Sequence, residues 1–328
     1  MSAPSKWQQL PTEALNPASL GIDKLAPAGI IDLMVDDDRK ILAAIAREKP
    51  RIALAVEIVS QALRRGGRLV FVGAGTSGRL GVLEAAEIPP TFGTDPSLVR
   101  AVMAGGARAI VRAREGVEDN YEQGARSIAR LAPTSRDVVV GVSASGMTPY
   151  VRGALNRARH AGAKVIFVTC HPGTELQTFV DLTIAPAVGP EIIAGSTRLK
   201  AGTATKMVLN MLTTATMVRV GKTYGNLMVD VQTGSEKLKD RARRILSIVS
   251  GIDYQAADRL LKRAHWNVKA AIVMQKTGLP FRQALSKLRR ADDFVRDAIG
   301  EDIEPRLRKL LEAADRQKQE RLQNPPRG

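Results

Sequence analysis

Arg68-Leu-Val-Phe-Val-Gly73-Ala-Gly-Thr-Ser-Gly78-Arg79 is a short apolar run that ends in a loop of glycines and hydroxyls. An unbroken apolar run closed by glycine reads as a strand buried on both faces. Four further runs have the same character: Leu98-Val-Arg-Ala-Val-Met103, Asp137-Val-Val-Val-Gly-Val142, Lys164-Val-Ile-Phe-Val-Thr169 and Val180-Asp-Leu-Thr-Ile184. Helical patterns over 77–86, 116–131 and 149–161 lie between them. Apolar strands alternating with helices predict the α/β class, a parallel sheet covered by helices on both faces.

Working outward, residues 1–47 read as an arm with scattered prolines followed by a helix. Pro50 is expected to end or kink that helix, and a second one follows with Ile52, Val56, Val59 and Leu63 at helical spacing. The sheet domain takes in 48–236, and its stretch 203–218 is apolar on nearly every side, which predicts a buried helix. From Lys237 the pattern is helical only, with helices near 238–249, 254–264, 267–277, 280–289 and 291–299. Residues 237–300 therefore form a small all-helical module, and 301–328 a charged, partly disordered tail.

The chain has 328 residues, 44% hydrophobic and 25% charged, which suits a globular protein. Its one cysteine, Cys170, excludes an internal disulfide. No apolar run approaches the roughly 18 residues that cross a bilayer, and the first twenty residues lack a signal-peptide core. A cytoplasmic protein is expected. The 49 Lys+Arg exceed the 33 Asp+Glu by 16, a balance that raises nucleic acid as a partner. Residues 237–328 carry 22 of those bases and 12 of the acids, so most of the excess lies outside the sheet. A recognition helix is also wanting, because two helices meeting at Pro50 fit a helix-turn-helix poorly. Nucleic acid is not the expected partner.

Three loops invite a ligand: 73–79 after the first strand, Ser143-Ala-Ser-Gly-Met-Thr148 after the third, and Gly195-Ser-Thr-Arg-Leu-Lys-Ala-Gly202 before the apolar helix. Glycines let backbone approach closely, helix N-termini favour phosphate, and hydroxyls add donors without a charge to desolvate. The first loop matches Gly-x-Gly-x-x-Gly. A dinucleotide site would also need an acid closing the next strand, and that strand closes on Met103-Ala-Gly-Gly106. No Gly-Lys-Ser/Thr follows, so it is not a P-loop. A small phosphorylated ligand fits the loops better. His160, His171 and His265 show no metal-ligand spacing. Cys170 reads as core and His171, after the fourth strand, as a group within reach of the ligand. Acid/base chemistry is left to carboxylates: Glu84 and Glu87 on the helix after the first loop, where Pro89-Pro90 should end it, and Glu115, Glu118 and Asp119 ahead of the next helix.

The first two loops resemble the phosphate loops of a sugar isomerase (SIS) domain. Longer strings resemble the N-acetylmuramic acid 6-phosphate etherase family. These are Gly73–Gly93 with Ala-Ala-Glu87-Ile-Pro-Pro, Ala104-Gly-Gly with Glu115-Gly-Val-Glu-Asp119, Gly141–Val151, Gly195–Ala215 and Tyr224-Gly-Asn-Leu-Met-Val-Asp-Val231. The resemblance covers about residues 10 to 299. It implies an SIS-type parallel sheet and a homodimer acting without metal or cofactor. The implied reaction is lactyl-ether cleavage in cell-wall sugar recycling, by elimination of lactate and addition of water. It casts Glu87 as acid for the departing lactate and Glu118 as base. It places the 6-phosphate on Ser77, Ser143, Ser145 and Thr148 with Thr76 close by. Ser196, Arg198 and Lys200 join the site from the third loop, where the two cations would meet the lactyl carboxylate or an enolate. A non-catalytic sugar-phosphate regulator and a phosphosugar isomerase are the alternatives.

Overall fold

The structure, a computed structural model, describes residues 10–323. By their contacts these fall into two compact units. One holds the chain up to Ile88 and Thr94–Thr216, the other Pro89–Gly93 and the chain from Met217.

The first unit opens with a 3-10 turn at Pro17–Ser19 and a second at Ile22–Lys24, then α1 (Pro27–Arg64). Strands and helices alternate from there: β1 (Leu69–Gly73), α2 (Gly75–Phe92), β2 (Val99–Met103), α3 (Ala107–Val111), α4 (Tyr121–Ala129), β3 (Val138–Val142), α5 (Pro149–His160), β4 (Lys164–Val168), β5 (Leu182–Ile184) and α6 (Lys200–Arg219). All five strands predicted from the apolar runs are present and parallel, in the order β2-β1-β3-β4-β5. Leu69 is in register with Val99 on one side and Val138 on the other. Alternation along the strands divides the core. Val70, Val72, Val139, Val165 and Phe167 pack with Ile128, Tyr150, Val151 and Leu155 of α4 and α5, while α1 lies against β1, β3 and β5. The sheet is thus covered on both faces. At β1 the chain turns one way to β2 and then returns past it to β3, so Gly73 and Val142, paired across the sheet, mark the switch point. In open α/β sheets ligands bind beyond the strand ends at that point.

Prolines depart from expectation. Pro50 lies inside an unbroken α1, on the exposed side with Ala46. Proline has no N–H to serve the carbonyl four residues back, and Ala46, which carries that carbonyl, is exposed. Pro89 and Pro90 likewise lie inside α2, with Gly93 N–H closing on Pro89 O at 2.9 Å. The helix expected to be buried, α6, keeps Met211 exposed.

The second unit holds a hairpin, β6 (Thr223–Tyr224) with β7 (Leu227–Met228), and helices α7 (Glu236–Ser250), α8 (Tyr254–Arg263), α9 (Val268–Thr277), α10 (Phe281–Arg290), α11 (Val295–Ile299) and α12 (Glu304–Gln323). Tyr224, Val229 and Val231 pack with Leu246, Leu261 and Ile272, so residues 217–236, read from sequence with the sheet domain, belong with the helices. The segment from 301 begins as part of that core, because Ile303 is buried and Tyr224 donates to Glu301 O at 2.9 Å. The end of the expected tail, 324–328, lies outside the described residues. Among the described residues no helix is long and apolar enough to cross a membrane.

Candidate active site

The two loops at the switch point fold tightly against their strands. A side chain on Gly73 would meet Gly78 N at 2.7 Å, and one on Gly78 would meet Gly73 O at 2.8 Å. Glycine at both places lets the chain turn directly from β1 into α2 and brings Thr76 and Ser77 onto its first turn. The second loop is knit by its own hydroxyls. Ser143 Oγ and Thr148 Oγ1 are 2.7 Å apart, Gly146 N–H donates to Ser143 Oγ at 3.2 Å, and Met147 N–H to Ser145 Oγ at 3.4 Å. His171 does not line the cavity; its Nδ1 lies 3.0 Å from Ser145 O and steadies the loop. Thr148 then leads into α5, with Pro149 in its first turn.

Both loops open on one cavity of about 380 Å³, lined by Thr76, Ser77, Ser143, Ser145, Thr148 and Glu118. Six residues singled out from sequence are therefore brought together, Glu118 from the short 3-10 turn Val117–Asp119. A larger cavity, about 590 Å³, opens beside the edge strand β2. It holds none of the three loops and is walled by Val82, Val102 and Ile110. The smaller cavity is the functional candidate because it concentrates the donors and carboxylates.

Four expected residues are placed elsewhere. Glu87 is exposed on α2, outside that cavity. Ser196 shapes the third loop's turn, its N–H donating to Ile193 O at 3.0 Å and its carbonyl accepting from Leu199 N–H at 3.2 Å. Arg198 is exposed beside a separate cavity of about 160 Å³ shared with Asp37, Asp38 and Glu191. Lys200 is 1% exposed. Its Nζ lies 2.5 Å from Asp37 Oδ2 and donates to Pro190 O at 2.9 Å. Burial pushes the Asp37 carboxyl up, but hydrogen bonds from Lys200 and Lys40 outweigh it and hold the group below the usual carboxylate range. An ammonium spent in this way is not offered to a ligand.

The cavity also holds Glu13, Arg79, Arg114, Glu115 and Thr197. Arg79 donates from Nε to Ile110 O and from Nη2 to Ala109 O, both at 2.9 Å, and so pins the end of α3 that leads to Glu118. Its place directly after Gly78 was the available signal. Glu84 is buried on α2, where Asn210 Nδ2 and Thr213 Oγ1 donate to its carboxylate. Burial lifts its pKa, with Thr213 and Lys206 opposing and the nearby Glu87 adding. It ties α2 to α6 and does not line the cavity that holds Glu118. Cys170 is buried and its thiol is pushed up to about 12 by burial, which leaves it inert. His160 is exposed and bound to Asn156 O, and His265 packs edge-on against Phe281 in the second unit. Among the described residues no cluster of His, Cys, Asp or Glu could hold a metal ion.

A parallel sheet whose switch-point loops present hydroxyls and two helix N-termini defines a sugar isomerase-type domain. Two family models agree: the N-terminal SIS domain of glucokinase regulatory protein matches residues 51–159, and the SIS domain matches 117–215. Curated relatives go further. The N-acetylmuramic acid 6-phosphate etherase of Salinibacter ruber is 49% identical over 90% of this chain and 95% of its own. Those of Thermosynechococcus vestitus (51%; 83% and 88%) and Clostridioides difficile (47%; 89% and 96%) match similarly. The chain belongs to the N-acetylmuramic acid 6-phosphate etherase family.

Proposed function

We infer that this protein cleaves the C3 D-lactyl ether of N-acetylmuramic acid 6-phosphate, releasing D-lactate and N-acetylglucosamine 6-phosphate. The observation that carries the reading is the meeting of both hydroxyl loops with Glu118 in one cavity, in a chain of this family.

The phosphate takes donors from Ser77, Ser143, Ser145 and Thr148 and from the N-termini of α2 and α5, with Thr76 beside them. Ring opening exposes an aldehyde at C1 that acidifies the C2 proton. Glu118 removes that proton as base. Lactate then leaves C3 with a proton from Glu87, and water adds to the unsaturated aldehyde. Acid and base help of this kind is typically worth roughly 10²–10⁴-fold each. The enzyme works in the cytoplasm on amino sugars recovered from cell wall.

Glu87 stands outside the cavity of its own chain, exposed on α2 one turn from Leu83, which is itself 44% exposed. The reading therefore takes a homodimer in which one protomer's Glu87 reaches its partner's cavity. Incubation with the substrate and assay of D-lactate tests the activity, and Glu87→Gln and Glu118→Gln should each abolish it with the fold intact. Coexpression of the two inactive variants tests the arrangement. Half of randomly formed dimers are mixed, and each carries one intact pair, so about a quarter of wild-type activity returns. No recovery would place both glutamates in the same chain. Phosphosugar binding without lactate release would favour a regulator.

A further inference from the structure

We propose that Glu13 is a further substrate-contacting residue, whose carboxylate accepts hydrogen bonds from the hydroxyl or amide N–H groups of the bound sugar. The inference rests on the etherase reading and names a group that reading does not use.

Glu13 lines the cavity on the side formed by the third loop, together with Gly195 and Thr197. Gly195 N–H donates to Thr12 O at 2.9 Å, and Thr12 is itself buried. Gly195 has φ +76°, and a side chain on it would come within 2.8 Å of Glu13 Oε2. The Glu13 carboxylate thus lies close to the Gly195 backbone at the edge of the cavity. Glu13 is exposed, and among the described residues its carboxylate accepts no hydrogen bond and pairs with no cation, which leaves it open to a molecule in the cavity.

The segment bearing Glu13 is held by a mount of buried polar groups. Asn16 accepts from Ala18 N–H at 3.1 Å and donates to Asp37 Oδ1 at 3.3 Å and to Pro190 O at 3.2 Å. Lys200 bridges Asp37 to the same Pro190 carbonyl. Buried Glu191, next in sequence, accepts from the N–H groups of Lys200 and Ala201 at 3.0 and 2.8 Å and caps α6. Burying an ion pair and an amide is costly unless every group is satisfied. Here they are satisfied by each other, and what they fix is the position of a short arm against the third loop.

Chemistry selects the role. The phosphate end of the cavity is supplied with donors, while the sugar's own hydroxyl and amide groups are donors that need acceptors. Glu118 is occupied with the proton at C2. An ionised carboxylate gives charge-assisted hydrogen bonds about twice as strong as neutral ones.

The test compares wild type, Glu13→Ala and Glu13→Gln for D-lactate release and for binding of N-acetylglucosamine 6-phosphate and inorganic phosphate. Losing bonds to a charged acceptor should lower kcat/KM about 10- to 100-fold in the alanine variant, with part recovered by glutamine, whose amide oxygen still accepts. Binding of N-acetylglucosamine 6-phosphate should weaken by a similar factor. Inorganic phosphate binding and Tm should stay unchanged. An alanine variant with wild-type kcat/KM, or one that loses inorganic phosphate equally, overturns the proposal. If wild type releases no lactate the etherase reading fails, and the contrast between the two ligands still decides the place of Glu13.

Discussion

Replacing Lys200 by methionine separates two roles for a residue that sequence alone places at the ligand. The pair it forms with Asp37 is buried, 1% and 4% exposed, with N···O 2.5 Å. Removing one member of a buried pair typically costs about 3–5 kcal/mol, because the remaining charge is uncompensated. Asp37 keeps Lys40 at 2.6 Å and Asn16 at 3.3 Å, which sets the expected loss at the lower end, about 3 kcal/mol. For a unit of this size that is a fall in Tm of roughly 6–12 °C. The loss has a pH signature. The folded-state pKa of Asp37 lies below its ordinary value, so wild type has this stabilisation above the carboxylate range and loses it as pH falls through the folded value. In the variant the stranded carboxylate hurts most at neutral pH, and protonation relieves it, so the gap between the two proteins narrows on acidification. Adding Asp37→Asn should restore most of the stability, because a neutral pair leaves no orphaned charge. Thermal and urea unfolding at pH 7 and pH 4.5, with lactate release alongside, read all of this. A variant that keeps the wild-type Tm and shows a tenfold or greater rise in KM would refute the reasoning and return Lys200 to the substrate.

Glu84→Gln should change the pH dependence in the opposite sense. Its raised carboxyl pKa makes wild type lose stability as pH rises from the ordinary glutamate value through the folded one, so wild type minus variant should fall over that window in paired urea titrations. Ser143→Ala removes a buried hydroxyl that both knits the loop and lines the cavity. KM should rise about tenfold or more with the affinity for inorganic phosphate falling in parallel, and a phosphate affinity equal to wild type would remove Ser143 from the phosphate site.

The sheet was legible because its signal is local. Each strand is an apolar run beside a glycine or a helix start, and the register Gly73 to Val142 brings the two hydroxyl loops side by side without any further information. The prolines misled because the rule against them counts the lost hydrogen bond and ignores solvent. At Pro50 the carbonyl left without its N–H belongs to an exposed residue, Ala46, on the solvent side of the helix. Lys200 was misread because its partner is 163 positions away, and nothing in the loop's own composition shows that its charge is already used. Glu13 left a weaker trace. It lies in an arm without periodicity, in the string Leu10-Pro-Thr-Glu13 that resembles the family's opening, and the contacts of Thr12 and Glu13 with Gly195 show that the arm reaches the site. Glu87 was found by motif, but a motif carries no coordinates, and its exposure could come only from the fold.

In the proposed reading phosphate is met by hydroxyls rather than by lysine, and acid/base chemistry gives a reason. The cavity holds three carboxylates, Glu13, Glu115 and Glu118. A fixed ammonium about 4 Å from a carboxylate near a protein surface favours its ionised form by about 4 kcal/mol. That corresponds to about three pKa units of lost basicity. A lysine placed for the phosphate would therefore tighten binding while weakening the base that must take the C2 proton. Serine and threonine hydroxyls and helix N-terminal N–H groups bind the dianion with no net charge, so they impose little of that cost. The cations nearby are held by other partners. Arg79 donates to the carbonyls of Ala109 and Ile110, and Lys200 is turned away onto Asp37. The cavity's other cation, Arg114, reaches Gly105 O from Nη1 at 3.4 Å, so two arginines and three carboxylates share one lining in a chain with sixteen more bases than acids.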